Sequence, residues 1–272
     1  MGVYTLGAAP RPVLVSSFWD IQPQFSPDGK QLVFASSRSG EALDVWLAAA
    51  DGSNAHQLTD GPGSWQGSPS WSPDGRQIAF DSRGADDHQS IWVIDAEGGT
   101  ARRITNGPGN QRTPTWSRDG EWIYFASDEA PRPDVWRVRV MGGSPERVTR
   151  DGSAFSALVS MDGRDLIYKR EFGDSPLLAL PLAGGPVRQL LPCVSAVNFT
   201  VGQAGIYYAA CGSGTERSIH LLDRAGRDRE LGKTSDIWAF RLNRLAVSPD
   251  GKTILIQQQS VSNDLMLIEN FR

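Results

Sequence analysis

A short turn motif that recurs along the chain constrains the fold more than any other feature. Its clearest copy is Ser72-Pro73-Asp74-Gly75. Proline pre-sets φ in such a turn, aspartate bonds to the nearby backbone, and glycine accepts the positive φ that follows. An aromatic residue precedes the turn, and an alternating apolar segment follows it. The motif therefore predicts a tight β-hairpin wherever it occurs.

The spacing of the motif indicates a repeat. Successive copies are 46, 45, 43 and 88 residues apart, and their turn serines are Ser26, Ser72, Ser117, Ser160 and Ser248. Because the last step is about twice the others, one copy has diverged. The segment Phe199–Tyr208 fills the gap, since its first and last residues are aromatic and as far apart as Phe25 and Phe34. The chain therefore contains six repeats.

Two further patterns recur in the same register and predict additional strands in every repeat. One is a short segment that contains Trp46, Trp92 or Trp136, and the other ends at Thr59, Thr105 or Thr149. A period near 45 residues with about four strands is typical of a propeller blade. The sequence thus predicts an all-β fold, a six-bladed β-propeller of four-stranded antiparallel blades. The tryptophans at fixed blade positions are expected to pack in the core.

The sixth repeat stops early, so we expect the N-terminus to complete it. The chain ends soon after Asp264–Met266, the predicted third strand of this repeat. Residues 12–15 precede Phe25 at about the distance expected of a fourth strand. This N-terminal strand would pair into the blade formed by residues 240–272 and close the ring, which leaves no blade without a partner. A single domain over residues 1–272 is therefore predicted.

Composition excludes several kinds of partner. The net charge of −4 offers no basic stripe for nucleic acid. The sequence has neither a segment long enough to span a membrane nor the n-region and h-region of a signal peptide. We therefore expect a soluble monomer that neither binds nucleic acid nor inserts into membranes. The compartment is left open: periplasmic if the chain is attached to a membrane-anchored regulator, and cytoplasmic otherwise.

Two cysteines flank the first hairpin of the fifth repeat. A disulfide between Cys193 and Cys211 is one alternative. Folding that hairpin about Phe199 and Tyr208 places the two cysteines a few residues out of register, however, which disfavours a bond. The sequence therefore favours a pair of thiols over a disulfide.

Candidate binding residues lie in the connections that lead into the innermost strand of each blade. Such connections cross the face of a propeller at its central channel, where ligands and partners bind. The aromatic and polar residues found there are Trp19, Asp20, Trp65, Gln66, Gln111, Arg112, Phe155, Trp238 and Arg241. The alternative for each aromatic residue is filling of the channel mouth, and for each polar residue it is a hydrogen bond to nearby loop backbone.

Motifs for catalysis or metal binding were sought and not found. The three histidines, His56, His88 and His220, are scattered over different repeats without metal-ligand spacing. No nucleophile elbow, phosphate-binding loop or zinc motif occurs. No catalytic residue, metal site or cofactor is therefore predicted, and calcium is the one ion kept as an alternative.

The repeat resembles that of a known family. The string [WF]-S-P-D-G-[KR]-x-[IL]-x-F, followed by S-x-R, [DS]-[VI]-W and [RQ]-[LIV]-T, is similar to the TolB-like β-propeller repeat. Phe25–Phe34 and Trp71–Phe80 match it most closely. The resemblance implies a non-enzymatic platform that binds a protein, peptide or small ligand at the channel face. Residues 263–271 also resemble the end of propellers attached to bacterial winged-helix regulators and serine/threonine kinases.

Two functions are consistent with these features. The first is a binding or sensor module within a larger bacterial signalling or transcription-regulatory protein. The second is a divalent-cation-dependent hydrolase or lyase with channel residues dispersed over several blades. In that case Asp20 would bind the cation, and Arg112 or Arg241 would stabilise an oxyanion.

Overall fold

The structure is a computed structural model of the chain and describes residues 2–5, 11–14, 16–40, 42–61, 65–84, 87–130, 132–152, 154–212, 217–234 and 245–256. These residues form strands, turns and bends, and none of them lies in a helix. No helix able to cross a bilayer therefore occurs within these ranges. The predicted all-β fold with antiparallel sheets is confirmed.

The strands are numbered here in chain order. They are β1 (Gly2–Thr5), β2 (Arg11–Pro12), β3 (Asp20–Phe25), β4 (Gln31–Ser36), β5 (Asp44–Ala49), β6 (His56–Gln57), β7 (Gln66–Trp71), β8 (Gln77–Arg83), β9 (Gln89–Asp95), β10 (Arg102–Arg103), β11 (Gln111–Trp116), β12 (Trp122–Ser127), β13 (Asp134–Arg139), β14 (Glu146–Arg147), β15 (Ser156–Val159), β16 (Asp165–Lys169), β17 (Ser175–Pro181), β18 (Arg188–Gly202), β19 (Gly205–Ala210), β20 (Arg217–Asp223), β21 (Asp228–Thr234), β22 (Ala246–Val247) and β23 (Thr253–Ile256).

The strands pair with their neighbours in sequence. The first three repeats form the four-stranded sheets β3-β4-β5-β6, β7-β8-β9-β10 and β11-β12-β13-β14. The fourth and fifth repeats share one seven-stranded sheet that runs from β15 to β21, because β18 is long enough to serve both. In each four-stranded group the strand before the turn motif lies at one edge and the short strand at the other.

The sixth repeat contains strands from both ends of the chain. Its sheet has the order β2-β1-β23-β22. Gly2–Thr5 pairs with Thr253–Ile256, and Arg11–Pro12 pairs with Gly2–Thr5 on its far side. We had expected residues 12–15 as the outer strand and Asp264–Met266 as the third, but the third place is held by Gly2–Thr5. Residues 264–266 lie outside the described ranges, and the single domain stays a prediction.

The turn motif is held by the same hydrogen bonds in each copy. In the second repeat Ser72 Oγ donates to Asp74 Oδ1 at 2.6 Å and accepts from Gln77 N at 2.9 Å. Asp74 Oδ1 also accepts from Arg76 N at 3.1 Å. Gly75 has φ of 72°, as the turn requires. The hydrogen bond from Ser72 lowers the pKa of Asp74 and keeps the carboxylate charged.

Neighbouring repeats pack through apolar clusters that lie between their sheets. Six clusters each combine residues of two repeats, and one of them joins Phe25 and Leu32 to Ala246 and Leu255. Trp71 and Trp116 are buried in these clusters, and Trp92 and Trp136 pack against them while partly buried. Trp46 is partly buried against a separate cluster formed by Leu14, Phe34 and Ala48. Because each apolar face is covered by the next repeat, one repeat alone would leave its faces exposed to water.

A disulfide joins Cys193 to Cys211, so our preference for free thiols is wrong. The reason is a register shift in the pairing of β18 with β19. Phe199 pairs with Tyr208, as expected, but Val194 pairs with Ala210, which removes the offset between the two cysteines. Their Cα atoms are 5.8 Å apart, within the range for a disulfide.

The same irregular part of β18 is held by a buried lysine. Lys169 is fully buried, and its Nζ donates to the carbonyl oxygens of Gly173 at 2.9 Å, Val194 at 2.5 Å and Ala196. All three N–H donors of the ammonium group therefore have backbone acceptors. Burial lowers the pKa of Lys169 to about 8, against the effect of the nearby Asp174 and Glu171.

The turn hydrogen bonds predict a specific effect of substitution. Asp74→Ala removes the acceptor of two hydrogen bonds and should lower the free energy of unfolding by about 1–2 kcal/mol, measured by urea denaturation. The control is Asp95→Ala, which removes one exposed side-chain bond to Gln77 and should change stability by less than about 0.5 kcal/mol. Equal effects of the two substitutions would contradict this account of the turn.

Burial of Lys169 predicts that its contribution to stability depends on pH. Between about pH 8 and 10.5, the ordinary pKa of lysine, Lys169 loses its proton in the folded chain while the unfolded chain retains it. The free energy of unfolding therefore rises with pH in this window, by up to about 3 kcal/mol from this group. Urea denaturation of the wild type and Lys169→Met at pH 7 to 10 should show the wild type gaining stability relative to the variant.

The matched control for this experiment is Lys30→Met, which removes an exposed ammonium group. The difference between wild type and Lys169→Met should grow with pH beyond any change seen with the control. A difference that stays constant or shrinks would mean that burial of Lys169 does not disfavour its charged form.

Candidate functional site

The innermost strands of four repeats contain a backbone bulge near the same face of the molecule. One residue in each strand has φ between 47° and 55°, and pairing with the next strand shifts register there: Gln22, Ser68, Thr113 and Ala196. Residues other than glycine rarely adopt positive φ. Bulges are common at rims and beside binding sites, where they redirect side chains. These bulges mark the face on which the sequence predicted binding.

Side chains of one repeat hold the bulge of the next. At three of the four bulges, those at Ser68, Thr113 and Ala196, a side-chain oxygen accepts a hydrogen bond from the amide of the residue with positive φ. The pairs are Gln22 Oε1 with Ser68 N (2.6 Å), Asp81 Oδ2 with Thr113 N (2.9 Å) and Asp174 Oδ1 with Ala196 N (3.2 Å). The positive φ is thus fixed by contacts between repeats rather than by the local sequence.

A cavity of about 340 Å³ opens beside the bulges of the second and third repeats. Three of the predicted binding residues, Trp65, Arg112 and Phe155, line it. They come from three successive repeats, which the sequence separates by more than 40 residues each. The structure brings these three residues together at one cavity, and their role in binding stays a prediction.

The apolar wall of the cavity is formed by aromatic rings. Phe155 packs against Phe172 with ring centroids 4.3 Å apart. The backbone of Phe155 is held on both sides, since its N–H donates to the carbonyl of Lys169 at 3.2 Å and its carbonyl accepts from Thr113 Oγ1 at 3.2 Å. Both phenylalanines are half-buried, so part of each ring faces the cavity. Such a wall can take an apolar group of a ligand.

Two carboxylates also line the cavity, but protein donors already bind both oxygens of each. Asp81 Oδ1 accepts from Gln89 Nε2 at 3.2 Å, and its Oδ2 accepts from Thr113 N. Asp128 Oδ1 and Oδ2 accept from the backbone and side-chain nitrogens of Asn110 at 2.6 and 3.0 Å. These carboxylates therefore stabilise the loops of the site. Because each oxygen already accepts a hydrogen bond from the protein, neither carboxylate is free to act as a general base.

Two arginines in the lining have unused donors. The Nε atoms of Arg83 and Arg112 are buried and have no hydrogen-bond partner. Arg83 Nη1 forms an exposed ion pair with Asp87 Oδ1 at 3.3 Å. Among the residues the structure describes, the guanidinium of Arg112 has neither an ion pair nor a hydrogen bond. A buried donor without a partner carries a desolvation cost that a bound acceptor would remove.

Trp19 and Asp20 lie on the same face but in the first repeat. Trp19 is 53% exposed and stands next to Phe18, which is 50% exposed. The carboxylate of Asp20 is buried and accepts from Arg38, with Nη2 at 2.7 Å from Oδ2. Burial opposes ionisation of Asp20, but hydrogen bonds from Arg38, Ser16 and Ser36 outweigh it and lower the pKa. Both oxygens of the Asp20 carboxylate therefore already accept hydrogen bonds from nearby side chains.

The two predicted glutamines are buried as well. Gln111 Oε1 accepts from Thr105 Oγ1 at 3.0 Å, and its Nε2 donates to the carbonyl oxygens of Gly107 and Gly109. This is the alternative that the sequence left open, a hydrogen bond to loop backbone. Gln66 is fully buried. Trp238 and Arg241 lie outside the described residues.

Sequence reasoning missed several residues of the cavity. Arg83 and Phe172 were not among the candidate binding residues. Arg83 ends the second strand of its repeat and Phe172 follows that of its own, and both line the cavity. The recurrence of a basic residue at this position, in Arg38 and Arg83, is the signal that could have identified it.

Metal binding finds little support in the described part of the chain. The one group of potential ligands there with atoms close together is Asp174, Cys193 and Cys211. The two sulfur atoms are joined in the disulfide and offer no thiolate to a metal. Asp20, the ligand considered for a cation, is bound to Arg38 instead.

Comparison with known proteins identifies the type of repeat. Residues 65–195 match the family model for the TolB beta propeller domain. An uncharacterized protein of Agrobacterium fabrum is 53% identical over 36 residues, which is 13% of this chain and 12% of that protein. The chain thus spans only a small part of that curated relative.

Solved structures match over nearly the whole chain. A putative TolB from Agrobacterium tumefaciens has a TM-score of 0.74 and 17% identity, covering 95% of this chain and 98% of that one. TolB from Acinetobacter baumannii has a TM-score of 0.67 and 21% identity, covering 93% and 58%. An oligogalacturonate lyase in complex with manganese has a TM-score of 0.63 and 16% identity, covering 89% and 71%. At these identities the likeness concerns the fold alone, and one fold hosts several functions.

The turn motif, the family model and the solved structures all point to the same repeat. Together they support the resemblance found in the sequence: residues 65–195 contain TolB-like β-propeller repeats, and a fold of this kind extends over nearly the whole chain.

Proposed function

We propose that this chain is a closed, six-bladed β-propeller that binds a ligand or partner at the mouth of its channel without converting it chemically. Contacts between the last and first repeats support closure. A Cβ on Gly29 would lie 3.2 Å from Cδ of Pro249, and Phe25 shares an apolar cluster with Ala246. The same turn contact recurs between the first two repeats, where a Cβ on Gly75 would lie 3.5 Å from Cδ of Pro27.

The observation that carries the binding function is the composition of the cavity. It combines an aromatic wall with the unpaired guanidinium of Arg112 in a space of about 340 Å³. Small-molecule sites have this character, mostly apolar with a few polar groups that fix orientation, and volumes of about 300–1,000 Å³. A cavity of this kind also suits one or two side chains of a peptide or of a partner protein.

The state of the carboxylates favours binding over catalysis. A general base needs an oxygen that can reach the substrate, whereas the oxygens of Asp81 and Asp128 are bound by protein donors. The alternative hydrolase or lyase relied on Asp20, whose ion pair with Arg38 leaves it poorly suited to hold a cation. Calcium binding stays an alternative to the predicted absence of a cofactor, and the larger signalling or regulatory protein of which this chain would be a part stays a prediction.

The compartment also stays a prediction. The disulfide between Cys193 and Cys211 is a bond that persists in oxidising compartments such as the periplasm and is rare in the cytosol. It favours the periplasmic alternative over the cytoplasmic one.

Binding at the cavity predicts a signal from Trp65. Titration of the protein with a panel of acetylated tripeptides and monosaccharides, followed by tryptophan fluorescence, should give a saturable change with at least one member. Trp65→Ala should weaken that binding about 10-fold or more, because a large aromatic contact is lost. Its melting temperature should stay close to that of the wild type, since Trp65 is only half-buried.

The control is Trp122→Ala, which removes another half-buried tryptophan that lies between Arg137 and Arg139. This variant should bind like the wild type. Two results would count against the proposed function: no saturable change with any member of the panel, or an equal loss of binding in both variants.

A further inference from the structure

We propose that the ligand of this cavity presents a single carboxylate attached to an apolar group, with Arg112 binding the carboxylate and the rings of Phe155 and Phe172 binding the apolar group. This inference rests on the proposed function and specifies the chemistry of its ligand. It follows from which hydrogen-bonding groups in the lining remain unused, from the charges of the lining, and from the position of the aromatic wall.

The unused groups in the lining are donors. Nε of Arg83 and Nε of Arg112 are buried without partners, whereas Asp81 and Asp128 have a donor at each oxygen. A ligand that fills the cavity must therefore bring acceptors to avoid leaving these buried Nε donors unpaired. A carboxylate matches the planar fork of an arginine with two parallel hydrogen bonds.

The charges favour an anion with one negative charge. Arg83 is already paired with Asp87, so Arg112 is the lining cation that has no partner among the described residues. Asp81 and Asp128 contribute negative charge to the same lining. A phosphate monoester, with nearly two charges, would be repelled by these carboxylates after Arg112 had been neutralised.

A hydrogen bond beside Arg112 indicates where the apolar part of the ligand would lie. Thr113, the following residue, has positive φ and donates from Oγ1 to the carbonyl of Phe155. This bond joins the strand that carries Arg112 to the segment that carries the aromatic wall. A carboxylate at Arg112 and a ring or branched side chain at Phe155 and Phe172 can therefore belong to one small ligand.

Two sources can supply this chemistry: the free C-terminus of a peptide whose last residue is apolar, or a small free acid. The test is calorimetric titration of the full chain with acetyl-phenylalanine, acetyl-Ala-Ala-Phe and the C-terminal amides of both. Each acid should bind at least about 10-fold more tightly than its amide, as expected for a charge-assisted hydrogen bond. Tighter binding of the tripeptide acid identifies the peptide source, and equal or tighter binding of the single residue identifies the small acid.

Variants of Arg112 connect this preference to one side chain. Arg112→Gln should reduce the difference between acid and amide to within about 2-fold, and Arg112→Lys should retain part of it. Because the guanidinium has no protein partner in the described structure, neither variant should lower the melting temperature. The control is Arg76→Gln, which changes an exposed arginine of a turn and should preserve the full difference.

Several results would overturn the proposal. They are equal binding of acids and amides to the wild type, an undiminished difference in Arg112→Gln, tighter binding of phenyl phosphate than of acetyl-phenylalanine, and no binding of any of these probes. If neutral members of the earlier panel still bound in a manner that required Trp65, the proposed function would stand and only the carboxylate assignment would fail.

Discussion

Hydrogen bonds that pass from one repeat to the next at the innermost strands determine both the fold and the site. A side chain of one repeat accepts from a backbone amide of the next, as Asp81 does from Thr113 and Gln24 does from Trp71 at 2.6 Å. At Thr113 the bond satisfies an amide that the bulge removes from the strand ladder, and at Trp71 it satisfies an amide of a buried edge strand. These bonds also fix the relative positions of neighbouring sheets, on which the apolar clusters between them depend.

The same bonds explain the chemical character of the cavity. Holding the bulge at Thr113 uses a carboxylate of the lining, and holding the loop at Asn110 uses another. The carboxylate oxygens of Asp81 and Asp128 thus accept hydrogen bonds from the protein itself, whereas Nε of Arg83 and Nε of Arg112 have no acceptor. Positive φ at Thr113 is a local strain of the kind that surrounding contacts must maintain. A site built in this way is suited to receiving an anionic group and poorly suited to taking up a proton.

The fold was largely predictable from the sequence, because the turn at Ser72–Gly75 and the tryptophans at fixed positions depend on local chemistry that the repeat displays directly. The site was only partly predictable. Trp65, Arg112 and Phe155 reach the cavity as expected, whereas Gln111 turns back to its own loop, a choice that depends on the nearby carbonyl groups. The disulfide and the place of Gly2–Thr5 depend on a register shift and on pairing between distant segments, which repeat spacing does not encode.

The central claim is that the channel mouth binds a carboxylate through Arg112, and a crystal structure of the protein with acetyl-phenylalanine tests it most directly. We expect the carboxylate oxygens within hydrogen-bond distance, about 2.7–2.9 Å, of the guanidinium of Arg112. The phenyl ring should lie against Phe155 and Phe172. A ligand bound at the opposite face, among the turn residues Pro27, Pro73 and Pro249, would contradict the account. So would a ligand in the cavity with its carboxylate directed away from Arg112.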